Sequence, residues 1–253
     1  MEAYIGGVIP VSTVDWPGML CSVVFLAGCD FRCPYCQNAG IIGFESKHLQ
    51  RLSDIKKKLS DGRGFVDAVL FSGGEASLQR QALNNLACFA KQMGMKTGIE
   101  TNGSRPFVIK SLIEDRLLDF VALDVKAPLE DRQDSLLERV TRSRTFFKST
   151  GEVVTSIRRT LSILRENQDR VQIEIRTTVV PGLIYRVEDI VRIASELKGL
   201  HCTWCLQQFR PDVGELLDKR LVAVKPPSRE FLLQLKEACL KKQPNIRIRV
   251  KAV

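Results

Sequence analysis

Hydrophobic residues along this chain fall into two kinds of pattern. Six short runs, rich in β-branched and aromatic residues, have the length and composition of strands, and they span residues 21–26, 66–71, 96–100, 120–125, 171–180 and 202–209. Apolar residues recur at helical spacing in 157–164, 187–197 and 229–241. The alternation predicts an α/β fold of parallel strands with right-handed helical crossovers, either an open doubly wound sheet or a complete or partial barrel.

Polar side chains occupy one face of several predicted strands. Glu100 ends the third run, Asp124 and Lys126 lie at the end of the fourth, and Glu174 and Arg176 alternate with aliphatic residues in the fifth. Parallel strands buried on both faces normally contain near-continuous apolar runs instead. The pattern therefore indicates either a satisfied salt-bridge network inside the sheet or, as we favour, a cavity that holds a polar ligand.

Three cysteines follow the first predicted strand directly. Cys29, Cys33 and Cys36 lie within eight residues of one another, in a segment that also contains a glycine and a proline. A structural zinc ion requires four ligands, and neither His48 nor His201 lies near the three cysteines in the sequence. An iron–sulfur cluster with three thiolate ligands would instead leave one iron open to a substrate.

The motifs around these cysteines resemble those of a known family. The spacing Cys-x3-Cys-x2-Cys, with Tyr35 before the last cysteine, resembles the radical S-adenosylmethionine (SAM) superfamily. Residues 12–18 and 25–38 are most similar to the glycyl-radical-enzyme activases, namely pyruvate formate-lyase activating enzyme and the anaerobic ribonucleoside-triphosphate reductase activating proteins. The resemblance extends to about residue 211, and it implies a partial (β/α)6 TIM-like barrel with parallel strands.

The same resemblance implies a domain arrangement and a set of site residues. One radical SAM domain would cover 1–253, with a core at about 20–210 and a C-terminal helix and strand at 228–251. Cys29, Cys33 and Cys36 would be catalytic and would bind a 4Fe-4S cluster, whose open iron chelates SAM. The residues expected to contact SAM are Tyr35, Cys36, Gln37, Gly73, Gly74, Glu75, Glu100, Asn102, Asp124, Lys126, Arg176, Gln207 and Arg210.

Particular contacts are implied for some of these residues. Tyr35 would lie near the adenine, and the Gly-Gly-Glu motif ending at Glu75 would receive the SAM amino group. Glu100 and Asn102 would lie near the ribose, although Glu100 stands where the family commonly has Asp. Arg210 stands where the formate-lyase activases have His, which is closer to the ribonucleotide reductase activator branch.

The implied activity is that of an anaerobic radical SAM oxidoreductase. A one-electron donor such as flavodoxin or ferredoxin would reduce the cluster, and SAM would be cleaved to methionine and a 5′-deoxyadenosyl radical. The expected substrate is a glycine of a partner glycyl radical enzyme. Two alternatives stay open, a radical SAM enzyme acting on a small molecule and a non-enzymatic iron–sulfur carrier or interaction module. The iron–sulfur carrier hypothesis accounts for the three cysteines, but it does not account for the polar motifs at the ends of the later predicted strands.

Composition restricts the location and the partners. The 253 residues are 44% hydrophobic and 26% charged, as in an ordinary soluble globular protein. No apolar run reaches membrane-spanning length and the first residues do not resemble a signal peptide, so we expect a cytoplasmic protein with no membrane partner. The net charge of +9 favours acidic partners, but no nucleic-acid motif accompanies it, and nucleic acid is not an expected partner.

A second cysteine pair lies in the sixth predicted strand. Cys202 and Cys205 are separated by two residues. Residues i and i+3 of a strand face opposite ways, so we expect no shared metal at this pair. A metal or redox role for either cysteine alone stays open.

Overall fold

The computed structural model describes residues 1–132 and 134–252. The strands, in chain order, are β1 (Glu2–Ser12), β2 (Cys21–Leu26), β3 (Leu49–Arg51), β4 (Ala68–Gly73), β5 (Lys96–Thr101), β6 (Phe120–Asp124), β7 (Gln172–Val179), β8 (Thr203–Gln208) and β9 (Arg247–Lys251). The α-helices are α1 (Leu52–Asp61), α2 (Arg80–Gln92), α3 (Pro106–Glu114), α4 (Leu136–Thr141), α5 (Thr150–Glu166), α6 (Val187–Glu196) and α7 (Arg229–Lys242).

The strands form one sheet in the order β3-β1-β2-β4-β5-β6-β7-β8-β9. From β2 to β9 every neighbouring pair is parallel, whereas β1 pairs antiparallel with both β2 and β3. Helices connect most of the parallel strands, as right-handed crossovers require. The predicted α/β fold with parallel strands in a partial barrel is confirmed.

Two differences from the sequence prediction have local causes. Strand β1 was not predicted, because glycines at 6 and 7 and a proline at 10 interrupt its pattern, and its pairing with β2 is irregular at two places. The second predicted run, 66–71, lies two residues further along as Ala68–Gly73, since pairing with β2 continues through Ser72 and Gly73.

The two faces of the sheet are buried in different ways. Val121 and Leu123 of β6 belong to the large apolar core, which also contains buried residues of the helices. Phe120 and Ala122 belong to a separate, smaller apolar cluster on the other face. That cluster is completed by Trp16, whose ring stacks on Phe120 with the centroids 4.7 Å apart. On this concave face β2, β4 and β6 are therefore apolar where they begin, and Asp124 lies at the carboxyl end of β6.

Capping residues fix several helix starts. The side chain of Ser149 accepts a hydrogen bond from the Glu152 amide at the start of α5, and Ser228 accepts one from the Phe231 amide at the start of α7. Each such cap contributes about 1 kcal/mol. Among the residues described, no helix is both long enough and apolar enough to cross a bilayer.

Candidate active site

A cavity of about 550 Å³ opens at the carboxyl ends of the parallel strands. Parallel α/β folds bind ligands at this end of the sheet, where successive loops meet. Most of the residues predicted from the sequence line it together: Cys29, Cys33, Tyr35, Cys36, Gln37, Gly73, Gly74, Glu100, Asn102, Asp124, Lys126, Arg176, Gln207 and Arg210. One predicted residue, Glu75, does not.

The loop that carries the three cysteines is held by backbone hydrogen bonds. The amides of Gly28 and Cys29 donate to the carbonyls of Ile41 and Ile42, over 2.8 and 3.0 Å, and the Cys36 amide donates to Cys33 over 3.0 Å. Gly28 has φ +93°, and a Cβ there would overlap the ring of Phe44. A glycine is required at this position for both reasons.

The loop after β4 packs directly against the cysteine loop. A Cβ on Gly73 would lie 2.1 Å from the Leu26 carbonyl oxygen, and one on Gly74 would lie 2.2 Å from the Gly28 carbonyl oxygen. The Glu75 amide donates to that same Gly28 oxygen over 2.8 Å. Glycine is therefore needed at both positions because the two backbones approach too closely for a side chain. This contact places both loops on one wall of the cavity.

The carboxylate of Glu75 is not among the groups that line the cavity. It is fully buried and accepts hydrogen bonds from the hydroxyls of Ser77 and Thr101, at 2.5 and 2.8 Å, and from the amide of Asn102, at 2.6 Å. Burial, together with the nearby charge of Asp30, raises the pKa of Glu75 to about 7. Its side chain joins the β4 loop to the β5 loop.

Asp30 is a buried residue that supports the site and that the sequence analysis missed. This buried carboxylate lies between the first two cysteines and accepts hydrogen bonds from Asn102 Nδ2, at 2.9 Å, and Ser104 Oγ, at 2.7 Å. Arg105 Nη2 lies 3.3 Å from it. The only signal in the sequence was an acidic residue inside the cysteine motif. Asp30 ties that motif to the loop after β5.

Charged side chains at the carboxyl end of β6 also line the cavity. Lys126 Nζ lies 2.7 Å from Asp124 Oδ2. Burial opposes the charge on Lys126, but the neighbouring carboxylate of Asp124 raises its pKa well above the ordinary value. The Tyr35 hydroxyl is buried and has no hydrogen-bond partner within the part of the chain that the structure describes. An unpaired buried hydroxyl on a cavity wall is a group that a ligand can satisfy.

Arg176 is the centre of a second charged group. Its guanidinium bonds the carboxylate of Glu100, donates to Glu174 over 2.6 Å and donates to the Asp15 carbonyl over 2.7 Å. Arg249 from β9 lies 2.7 Å from the other oxygen of Glu174. Burial opposes the charge on Arg176, but these carboxylates raise its pKa, so the guanidinium stays protonated.

Comparison with known proteins decides the family. The sequence pattern of the Radical SAM superfamily matches residues 23–194. The chain belongs to the radical SAM superfamily. The predicted family and the predicted cofactors, a 4Fe-4S cluster and SAM, are thereby confirmed.

Full-length relatives agree with this assignment. A protein of Methanocaldococcus jannaschii with the provisional name glycyl-radical enzyme activating enzyme is 32% identical over 249 residues, which cover 98% of this chain and 97% of that protein. The pyruvate formate-lyase 1-activating enzyme of Escherichia coli is 31% identical over 241 residues, covering 88% of this chain and 89% of that one. The prediction of an enzyme of this type is confirmed.

A solved structure shows the same fold. The crystal structure of a radical SAM methyltransferase from Sphaerobacter thermophilus superposes with a TM-score of 0.65 at 17% identity, covering 93% of this chain and 67% of that one. At this identity the match concerns the architecture and not the substrate.

The donor atoms of this radical SAM enzyme suit a cluster better than a single ion. Within residues 1–132 and 134–252, no three side chains of His, Cys, Asp or Glu come close enough to hold one metal ion. A 4Fe-4S cluster contributes its own iron and sulfur atoms between the thiolates, so the three thiols need only line one cavity, as they do. Burial raises the pKa of Cys33 to about 12 and raises those of Cys29 and Cys36 as well. Without iron to replace their protons, these thiols stay protonated at neutral pH.

Strand β8 and the segment after it also contribute to the cavity wall, with Gln207 from the strand and Arg210 from the segment. Gln37 Nε2 donates to the Arg210 carbonyl over 2.6 Å, which joins the cysteine loop to the segment after β8. The guanidinium of Arg210 makes two hydrogen bonds to Asp212, at 2.8 and 2.6 Å. Arg210 therefore lines the cavity while its charge is paired.

The second cysteine pair lies apart from this cavity. Cys205 is fully buried in β8, and Cys202 is partly buried against the large apolar core on the helix side. Neither lines the cavity. Gln207, which shares a face with Cys205 on β8, points to the cavity side of the sheet.

Proposed function

We propose that this radical SAM enzyme installs a glycyl radical on a partner enzyme, using a 4Fe-4S cluster bound by Cys29, Cys33 and Cys36. The observation that carries the proposal is the shared cavity, because the three thiols and charged residues of β5, β6 and β7 line the same space of about 550 Å³. When bound there, the cluster and SAM supply the one-electron cleavage that gives methionine and a 5′-deoxyadenosyl radical, which removes a hydrogen atom from the substrate.

The cavity offers groups that match the parts of SAM. SAM carries an ammonium, a carboxylate and two ribose hydroxyls, and the wall provides both carboxylates and cations. Glu100 and Asn102 are proposed to bind the ribose, and Lys126 and Arg176 to provide positive charge for the carboxylate. Tyr35 is proposed to lie against the adenine. The charge pairs in which Glu100, Lys126 and Arg176 already take part hold these three side chains in place before the ligand arrives.

The choice of a protein substrate comes from the relatives. The two full-length relatives described above are both named for the activation of other enzymes, and one of them is aligned over 98% of this chain. We infer that the chain acts as a single domain over 1–253, with its core at about 20–210 and its terminal helix and strand at 228–251. It would act in the cytoplasm with two protein partners, a glycyl radical enzyme and a one-electron donor.

The test is made in two stages without oxygen. The chain is reconstituted with iron and sulfide, reduced with dithionite and given SAM, and 5′-deoxyadenosine is measured by chromatography. We expect it from the wild type and from Cys88→Ala, which removes an exposed cysteine outside the site, but not from Cys33→Ala. A candidate glycyl radical enzyme is then added, and the glycyl radical is sought by electron paramagnetic resonance. Cleavage of SAM without that radical for any partner would contradict the activase assignment and favour a small-molecule substrate.

A further inference from the structure

A groove of about 500 Å³ lies on the outer side of the cysteine loop. Pro34, between the second and third cysteines of the motif, is part of its wall, and no residue that lines the groove also lines the active-site cavity. Two backbone hydrogen bonds join the loop to the far wall of the groove, from Asp218 to the Pro34 carbonyl at 2.9 Å and from Leu217 to the Cys36 carbonyl at 3.2 Å. The groove therefore lies on a side of the cysteine loop that a substrate bound in the active-site cavity would leave uncovered.

The far walls of this groove carry arginines. Arg139 and Arg142 come from the end of α4, and Arg220 comes from the segment after β8. Arg32, from the cysteine loop itself, lies over the exposed ring of Phe146 at 4.5 Å from its centroid. We name these four arginines together with Phe146 the arginine face.

The four arginines of this face lie near three carboxylates, those of Asp134, Glu138 and Asp218, so its formal charge is positive by one. Arg142 and Arg220 share one carboxylate, Asp218, at 3.5 and 2.7 Å. Glu138 accepts hydrogen bonds from the Ser143 hydroxyl and the Arg144 amide, so it is used within its own turn. Across residues 138–148 there are four basic side chains and one acidic side chain. A carboxylate-rich surface is the complement of such a face.

The backbone at Arg142 is in a conformation that favours glycine. Its φ is +47° and its ψ is +40°, and its amide donates to the Glu138 carbonyl over 2.7 Å. The preceding residue, Thr141, accepts a 2.7 Å hydrogen bond from the Arg32 amide, which joins this turn to the cysteine loop. Arginine is more strained than glycine in this left-handed conformation. Its presence at 142 indicates a functional role for the side chain.

We propose that the arginine face is the docking surface for an acidic one-electron carrier protein that reduces the cluster. This inference rests on the proposed function, which requires one electron to enter the site for each SAM cleaved. The carrier is oxidised by one electron, the cluster is reduced by one electron, and no other reactant is consumed. Docking over Pro34 brings the electron in through the loop that holds the cysteines, without covering the cavity in which SAM and the substrate react.

The test compares reduction by a protein with reduction by a small molecule. Arg139→Glu with Arg220→Glu reverses two exposed charges of the face, and Lys57→Glu with Lys58→Glu makes the same change in charge on α1, away from the loop. Each reconstituted protein is mixed with flavodoxin hydroquinone or with reduced ferredoxin. The rate of cluster reduction is followed by the loss of its visible absorbance, at low and at high salt.

With whichever carrier reduces the wild type faster, we expect the arginine variant to be reduced roughly tenfold more slowly than wild type at low salt. This difference should become smaller at high salt. The lysine variant should match wild type. All three proteins should have the same iron content and should be reduced by dithionite at the same rate. Equality in both would show that the two variants are folded and contain the cluster. Titration of the oxidised carrier by calorimetry should show the same loss of binding.

Equal reduction rates for the arginine variant and wild type would overturn the docking proposal, as would a wild-type chain that neither carrier reduces. A partner glycyl radical enzyme whose binding is lost in the arginine variant, with carrier binding unchanged, would assign the face to that enzyme instead. Failure of the proposed function has a different signature, namely no 5′-deoxyadenosine with dithionite and SAM. The reduction comparison does not depend on that product.

Discussion

Asp30 accepts a 2.9 Å hydrogen bond from Asn102 Nδ2, and through it the cysteine loop is fastened to the loop after β5. Both residues are buried, at 2% and 5% exposure, so neither group can exchange its partner for water. The first loop carries the proposed cluster ligands and the second carries a proposed SAM contact. One carboxylate therefore sets the relative position of two parts of the site.

Replacing Asp30 with alanine should destabilise the protein. The change leaves the donors of Asn102 and Ser104 buried without an acceptor, and we expect the free energy of unfolding to fall by about 1–3 kcal/mol. Urea unfolding of the iron-free protein measures this. Asp61→Ala, an exposed acid at the end of α1, is the control and should change stability by less than about 0.5 kcal/mol. Equal stability of the two variants would show that Asp30 does not fasten the loops.

Trp16 should contribute strongly to stability. Its side chain is 1% exposed and fills the concave face against Phe120, so Trp16→Ala should cost about 3–5 kcal/mol in thermal or urea unfolding. Trp16→Phe keeps an aromatic ring in the cluster and should cost clearly less. A loss below about 1 kcal/mol for Trp16→Ala would mean that the ring does not close the barrel.

Glu75 should make stability depend on pH. Its pKa is raised to about 7 in the folded protein, against an ordinary value of 4.5, so folding favours the protonated carboxyl. This contribution to stability is full below the unfolded value and is lost as pH rises through about 7. A shift of this size corresponds to about 3 kcal/mol. The measurement is urea unfolding at pH 5 and pH 8, compared with Glu75→Gln.

The Gln variant cannot ionise, so its stability relative to wild type should improve from pH 5 to pH 8. The pH 5 comparison also shows the cost of placing an amide among the donors around this side chain, because Glu75 is still protonated in the folded protein at that pH. A difference between the two proteins that is constant across this range would show that Glu75 has an ordinary pKa.

The cysteines should divide into two groups by iron content. Cys33→Ala leaves two thiols for the cluster, so iron and sulfide after anaerobic reconstitution should fall well below those of wild type. Cys205→Ala should leave iron content unchanged, because Cys205 is buried in β8 and does not line the cavity. Iron loss in Cys205→Ala would indicate a second metal site.

Much of the fold could be predicted because hydrophobic periodicity reports which face of each strand is buried. Asp124 and Lys126 were placed on the face opposite Leu123, and they line the cavity while Leu123 packs in the large core. Strand β1 was missed because pairing with β2, and not its own composition, makes it a strand. Local pattern does not contain that information.

The site was less predictable where long-range contacts decide a side chain's role. The motif identified Glu75 as part of the site, but the hydrogen bonds that remove its carboxylate from the cavity come from Thr101 and Asn102, 26 and 27 residues away along the chain. Asp30 was missed for the same reason, because its partners lie on another loop. Sequence spacing predicts which loops meet, and packing decides which atoms face the ligand.

The central claim is that the three cysteines of one loop hold a 4Fe-4S cluster with one iron left for SAM. Mössbauer spectroscopy of the oxygen-free protein, reconstituted with ⁵⁷Fe, tests it most directly when spectra are taken before and after SAM is added. We predict four irons per chain, one of which changes its spectrum when SAM binds. Four irons that are all unaffected by SAM, or zinc in place of iron in protein purified without oxygen, would contradict the claim.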